Sequence, residues 1–181
     1  MSEHQSIVEA LRSDHRAIAE QLDALLAASA TDDTDEARAE LVMILVRHFV
    51  AEEQYLYPAV HDRLTTPVDS AVEADRRIEK QLAELEHPDL DAARVADVLG
   101  RVRDGMAEHI SWQEQQFEQL VTSLPADQLR ELGAGVIGAE QLAPTRPRAY
   151  APESVPANKV LSFVEGFVDR VRDYYSGRGT N

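Results

Sequence analysis

The residues of this chain that could do chemistry are histidines and acids set among apolar residues at helical spacing. His48 and Glu52 stand four positions apart, and His109 and Gln113 repeat that spacing later in the sequence. Residues four apart lie on one face of a helix, so the members of each pair share a face. Imidazole nitrogen and carboxylate oxygen, without sulfur, suit iron, manganese or zinc. We therefore interpret these residues as candidate metal ligands.

Two further segments place a polar residue on an otherwise apolar face. Steps of three and four residues put His15 on the apolar face of the first segment and Asp75 on that of the third. A single buried histidine is more often a hydrogen-bonded core residue than a ligand, but four such coincidences are harder to dismiss. An unpaired charge in a dry core is costly, and metal coordination is one way to compensate it.

These residues must be positioned by helices, because apolar residues recur at helical spacing and alternating strand patterns are missing. Small, acidic and prolyl residues separate the predicted helices. The helices are Glu3–Ala27, Asp35–Arg63, Pro67–Glu86, Leu90–Ser123 and the shorter Ala126–Leu142. On the second helix, Tyr55 and Ala59 follow Glu52 on the predicted inward face. Short connections predict an all-α, up-down-up-down four-helix bundle with an additional C-terminal helix.

The C-terminal part of the chain has a different composition. The stretch APTRPRAYAPESVPAN contains four prolines and predicts an extended linker. Residues 158–176 return to helical spacing and predict an amphipathic terminal helix. We therefore divide the chain into a bundle over residues 1–143 and a linker with terminal helix over residues 144–181. The apolar face of that helix could meet a membrane surface, but docking on its own bundle is the preferred interpretation.

Composition excludes several classes of function. The chain has no cysteine, which excludes disulfides, zinc–thiolate sites, iron–sulfur clusters and thiol nucleophiles. Residues before Pro144 include 12 basic and 29 acidic side chains, which argues against nucleic acid as a partner.

We find neither a nucleophile–base pair nor a phosphate-binding loop. The hypotheses of a hydrolase and of a transferase therefore have no support, and any catalysis would belong to a metal. Without a signal sequence or a membrane-length apolar run, we expect a cytoplasmic protein, and its oligomeric state stays open.

Three strings carry a resemblance to a known family. DHRAIAEQLDAL, VRHFVAEEQYLYPAV and EHISWQEQQFEQL resemble the first, second and fourth helix motifs of hemerythrin-like HHE-domain proteins. The Pro-rich ending is similar to the tail of an actinobacterial-type branch of that family. The resemblance implies a non-haem iron centre, without haem or nucleotide, that binds or responds to dioxygen, nitric oxide or peroxide. It also implies that His15, His48, Glu52 and His109 are metal ligands.

Two positions depart from the family pattern. The third helix of the family brings a histidine where this chain has Asp75, and the fourth brings a glutamate where it has Gln113. An amide is a weak oxygen donor with little capacity to bridge two metals. A carboxylate, in contrast, can replace an imidazole as a ligand of a hard or borderline ion.

Two hypotheses follow from these departures. In the first, His15 and His48 hold one iron, His109 and Asp75 hold a second, and Glu52 links them, although a mononuclear site also fits. In the second, the two substitutions record the loss of the site, and the protein is a metal-free bundle that acts as an interaction module.

Other histidines are left outside the site. A ferritin-like di-iron site needs Glu-x-x-His on two helices, and this chain offers only the copy that ends at His87, so we reject that reading. His4, His61 and His87 lie near predicted helix ends, where solvated or capping roles are expected.

Overall fold

Local signals in the sequence set the ends of the helices. Ser6 is the N-cap of the first helix: its hydroxyl accepts from the N–H of Glu9, and the Glu9 carboxylate accepts from the N–H of Ser6 at 2.8 Å. This capping box starts the helix at Ile7, so the predicted start at Glu3 is wrong. Asp91 is the N-cap of the long helix that begins at Ala92, where its side chain accepts from the N–H of Arg94 at 2.8 Å.

The computed structural model of the protein describes residues 5–28, 34–64, 67–87 and 89–143. These residues form helices and no strand, which confirms the all-α prediction. The elements are α1 (Ile7–Ala27), α2 (Asp35–Ala51), a π-helical turn (Glu52–Leu56), α3 (Tyr57–Leu64), α4 (Asp69–Leu85), α5 (Ala92–Ser123) and α6 (Ala126–Leu142). The linker and terminal helix predicted for residues 144–181 lie outside the described residues.

The predicted second helix is interrupted by the π-helical turn. The N–H of Tyr57 donates to the carbonyl of Glu52, five residues earlier. Pro58 follows at once, and proline lacks an N–H and crowds the carbonyl four residues before it. Because a π-helical turn holds one extra residue, the inward face shifts beyond it. Tyr57 is buried there, whereas Tyr55 and Ala59, predicted to face inward, are only half-buried.

Two apolar clusters fill the bundle, and the four long helical segments contribute to both. One cluster includes Leu11, Leu56, Val72 and Phe117. The other includes Ile18, Phe49, Ile78 and Met106. Along the chain, α1 and α4 run from the first cluster to the second. The segment made of α2, the π-helical turn and α3 runs from the second cluster to the first, and so does α5. This alternation is the predicted up-down-up-down order, and the polar residues of interest lie between the clusters.

Helix α6 packs against α1, α2 and the π-helical turn. It buries Leu129, Val136 and Ala139. At Gly133 the helix approaches the backbone at the start of α1 so closely that a Cβ atom would lie 2.7 Å from the carbonyl carbon of Ser6. Among the described residues, none of the helices combines the length and apolarity needed to cross a membrane.

Candidate metal centre

Four buried side chains bring potential ligand atoms together between the two apolar clusters. They are His15 of α1, His48 of α2, Glu52 at the start of the π-helical turn, and His109 of α5. One ligand-competent atom of each lies within 4.8 Å of the others. Nε2 of His48 is 2.8 Å from Oε1 of Glu52, and Nε2 of His109 is 3.4 Å from that same oxygen. Three imidazole nitrogens and one carboxylate thus surround a single point.

His15 provides the clearest test of whether this cluster fits a metal. Its side chain is buried, and neither ring nitrogen has a hydrogen-bond partner among the described residues. Burial and the neighbouring His48 lower its pKa to about 3, so the ring is neutral at ordinary pH. Its ring centroid lies 5.0 Å from that of His48 and 5.8 Å from that of His109. A buried neutral imidazole with unsatisfied nitrogens, facing two others, fits a metal ligand.

Asp75 lies behind His109 rather than beside the four ligand atoms. Nδ1 of His109 donates to Oδ1 of Asp75 at 2.7 Å, and the hydroxyl of Tyr57 donates to the other oxygen. When His109 is neutral, a carboxylate in this position holds the proton on Nδ1, so that Nε2 carries the free lone pair. Asp75 therefore contacts His109 from the side away from Glu52, and it is not one of the four residues whose ligand-competent atoms converge.

Gln113 lies at the edge of the centre and is fully buried. Its Nε2 donates to Oε1 of Glu52 and lies 2.8 Å from Nε2 of His109. Its Oε1 has no hydrogen-bond partner in the described part of the chain. The side chain thus contacts two of the four clustered residues, and its amide nitrogen faces them.

Glu52 holds the negative charge of the centre. Burial opposes its ionisation, but His48 and His109 lower its pKa well below the usual range. In return, and against the effect of burial, Glu52 and Asp14 raise the pKa of His48 to about 9. Glu52 and Asp75 likewise overcome burial and raise the pKa of His109 to about 10. Without a metal, the carboxylate is therefore compensated by protonated imidazoles.

Sequence reasoning missed Tyr57, which links Asp75 to the centre. An unbroken helix turns Tyr55 inward, and only Pro58 signalled that the register would shift.

Sequence reasoning also missed a second group, in which Asp14, His48 and Glu140 bring ligand-competent atoms within 4.8 Å of one another. Oδ2 of Asp14 is 3.7 Å from Nδ1 of His48. Nothing in the helical spacing showed that Glu140 of α6 would reach this position.

The histidines left outside the site lie at the surface where they are described. His61 is exposed beside Asp62, and the exposed His87 accepts from the N–H of Asp89 at 3.3 Å. His4 lies outside the described residues.

An antiparallel helical bundle with histidines and a glutamate converging in its core defines a metal-binding helical protein. The family model for the hemerythrin HHE cation binding domain matches residues 6–121, more than half of the chain. The chain belongs to this family, which confirms the resemblance found in its sequence. No curated protein and no solved structure matches the chain. The matched range includes all four residues of the cluster, whereas α6 lies beyond it.

Proposed function

We propose that this protein binds one iron ion through His15, His48, Glu52 and His109, and that the ion binds dioxygen, nitric oxide or peroxide. The observation that carries the proposal is the convergence of three imidazoles and one carboxylate within 4.8 Å in a buried layer. The likeness of the ligand strings to hemerythrin-like proteins supports iron over other borderline metals.

The surroundings of the ligands support one metal rather than two. Asp75 is engaged by His109 and Tyr57, and Gln113 turns its amide nitrogen toward Glu52. A second iron would therefore lack both its histidine and its bridging glutamate. Three nitrogens and one oxygen leave coordination positions open for a small ligand.

Iron held by these residues would supply one-electron redox chemistry and a place for a small ligand. The protein supplies the rest: Glu52 offsets part of the metal's charge, and Asp75 holds His109 in the orientation that presents Nε2. The apolar clusters on either side limit access of water to the centre, and such a shell tunes the reactivity of a bound metal.

Anaerobic titration with Fe(II) tests the proposal. We expect close to one iron per chain, and we expect His48→Ala to abolish binding because it removes a ligand at the middle of the cluster. His61→Ala is the matched control, since His61 is exposed and is not one of the four clustered residues. Well under one iron per chain would contradict the proposal, and two irons per chain would contradict a mononuclear centre.

A second candidate function is that of a metal-free bundle that works through its surfaces. The observation in its favour is that Glu52 already has compensating partners in His48 and His109. The unsatisfied nitrogens of His15 argue against it. The same titration separates the two candidate functions, because a metal-free bundle would bind no stoichiometric iron in the wild type or in His48→Ala.

A further inference from the structure

Tyr57 is a buried phenol at the edge of the centre that the proposed function leaves without a role. Its side chain is almost wholly buried, and its hydroxyl lies 3.5 Å from Oε2 of Glu52. The same hydroxyl donates to Oδ2 of Asp75. The π-helical turn brings it there, because an uninterrupted helix would have turned Tyr55 inward instead. Such turns occur frequently at functional sites.

Of the two carboxylates that the Tyr57 hydroxyl contacts, Asp75 is the nearer acceptor for its hydrogen. Asp75 accepts from Tyr57 on one oxygen and from His109 on the other, so a single carboxylate joins the phenol to an imidazole of the cluster. A hydrogen-bonded neutral phenol can lose an electron when its proton moves at the same time to the acceptor.

We propose that Tyr57 is a one-electron donor to the metal centre during the reduction of peroxide, and that its proton passes to Asp75. This inference rests on the proposed function, and hydrogen peroxide is the oxidant. Breaking the O–O bond to give two water molecules takes two electrons and two protons. Ferrous iron held by the four clustered residues would supply one electron on oxidation to the ferric state. Tyr57 supplies the other electron by breaking its O–H bond, which leaves a tyrosyl radical and a protonated Asp75, and solvent supplies the protons consumed.

The electron balance predicts that the number of iron ions oxidised per peroxide differs between variants. When Tyr57 supplies one electron, each peroxide oxidises one Fe(II). When it cannot, both electrons come from iron, and each peroxide oxidises two. Tyr57→Phe removes only the hydroxyl, and Tyr55→Phe is the matched control because Tyr55 lies in the same turn but packs against the apolar cluster.

The experiment mixes the full chain, loaded anaerobically with Fe(II), with less than one equivalent of hydrogen peroxide and freezes it for electron paramagnetic resonance. We expect the spectrum of a tyrosyl radical in the wild type and in Tyr55→Phe. The lines of this spectrum should narrow when the tyrosine rings are deuterated. In Tyr57→Phe the radical should fall at least tenfold while bound iron, measured in each sample, stays unchanged. Iron oxidised per peroxide should rise from one toward two.

The outcomes separate this inference from the proposed function. If iron binds and is oxidised but the radical is missing from the wild type, or persists in Tyr57→Phe, Tyr57 is not the donor and the metal site stands. If no iron binds to the wild type, the proposed function fails and this inference fails with it. Thermal unfolding of metal-free Tyr57→Phe checks that the variant folds.

Discussion

At the scale of single residues, His15 distinguishes a metal centre from an ordinary polar core. A core histidine retained for stability would be hydrogen bonded, since leaving a buried polar group unsatisfied costs about 1–3 kcal/mol. His15 has no such partner among the described residues, whereas His109 and His48 have carboxylates beside them. Coordination of a cation would give the lone pair of one His15 ring nitrogen a partner.

At Glu140 we predict a substitution that stabilises the folded protein, because the partly buried carboxyl group carries an electrostatic cost. Burial and the adjacent Asp14 raise its pKa to about 8, although His48 works against them. The folded protein thus keeps a proton that the unfolded chain loses above its ordinary pKa. Stability must therefore fall as pH rises from about 4.5 toward 8, and the cost is fully present above 8.

Glu140→Gln should remove this dependence. We expect the metal-free variant to match the wild type near pH 4.5 and to be more stable at pH 8, by about 1 kcal/mol once partial solvent screening is allowed for. For a chain of this length that corresponds to roughly 2–4 °C in Tm. Glu131→Gln, at an exposed position of the same helix, should show no such difference. A stability gap that is equal at both pH values would contradict the assignment.

At the scale of elements, the helices and their order could be predicted from the sequence, and the π-helical turn could not. Apolar spacing depends only on which face is buried. It located six polar residues that the structure buries, namely His15, His48, Glu52, Asp75, His109 and Gln113. The turn depends on two local effects, the missing N–H of Pro58 and the packing of the residues around it. Their balance determines whether Tyr55 or Tyr57 faces Asp75. The position of Asp75 behind His109 depends on side-chain geometry, which spacing does not determine.

Two glycines of α6 test how closely that helix packs. A Cβ atom at Gly133 would collide with the carbonyl of Gln5 and lie 2.8 Å from the backbone nitrogen of Ile7. These are backbone atoms of the α1 cap, so they cannot move aside cheaply. We expect Gly133→Ala to lower the free energy of unfolding in urea by about 2–3 kcal/mol.

Gly138→Ala is the matched control on the same helix. Nothing lies within 4 Å of the Cβ position there, so alanine should gain helix propensity without a clash. We expect an increase of roughly 0.5–1 kcal/mol in the free energy of unfolding. If both variants moved stability in the same direction, the close approach of α6 to α1 would be wrong.

At the scale of the whole molecule, the bundle consists of two apolar clusters with a buried polar layer between them. The layer contributes little hydrophobic stabilisation, and in the metal-free protein it keeps three imidazoles and one carboxylate away from water. Helices α1, α2 and α5 meet there, so a bound ion would join elements that are far apart in sequence. Metal binding should therefore stabilise the entire bundle rather than one segment.

This coupling sets the size of a final prediction. A ligand that binds only the folded state stabilises it by about 2.7 kcal/mol when its free concentration is a hundredfold above Kd. At roughly 2–4 °C per kcal/mol, Fe(II) under anaerobic conditions should raise Tm by about 5–10 °C. The increase should vanish in His48→Ala and be reversed by a chelator, and His61→Ala should retain it. Equal Tm values for the loaded and metal-free wild type would mean that the polar layer binds no ion, because an ion joining three helices cannot leave their unfolding unchanged.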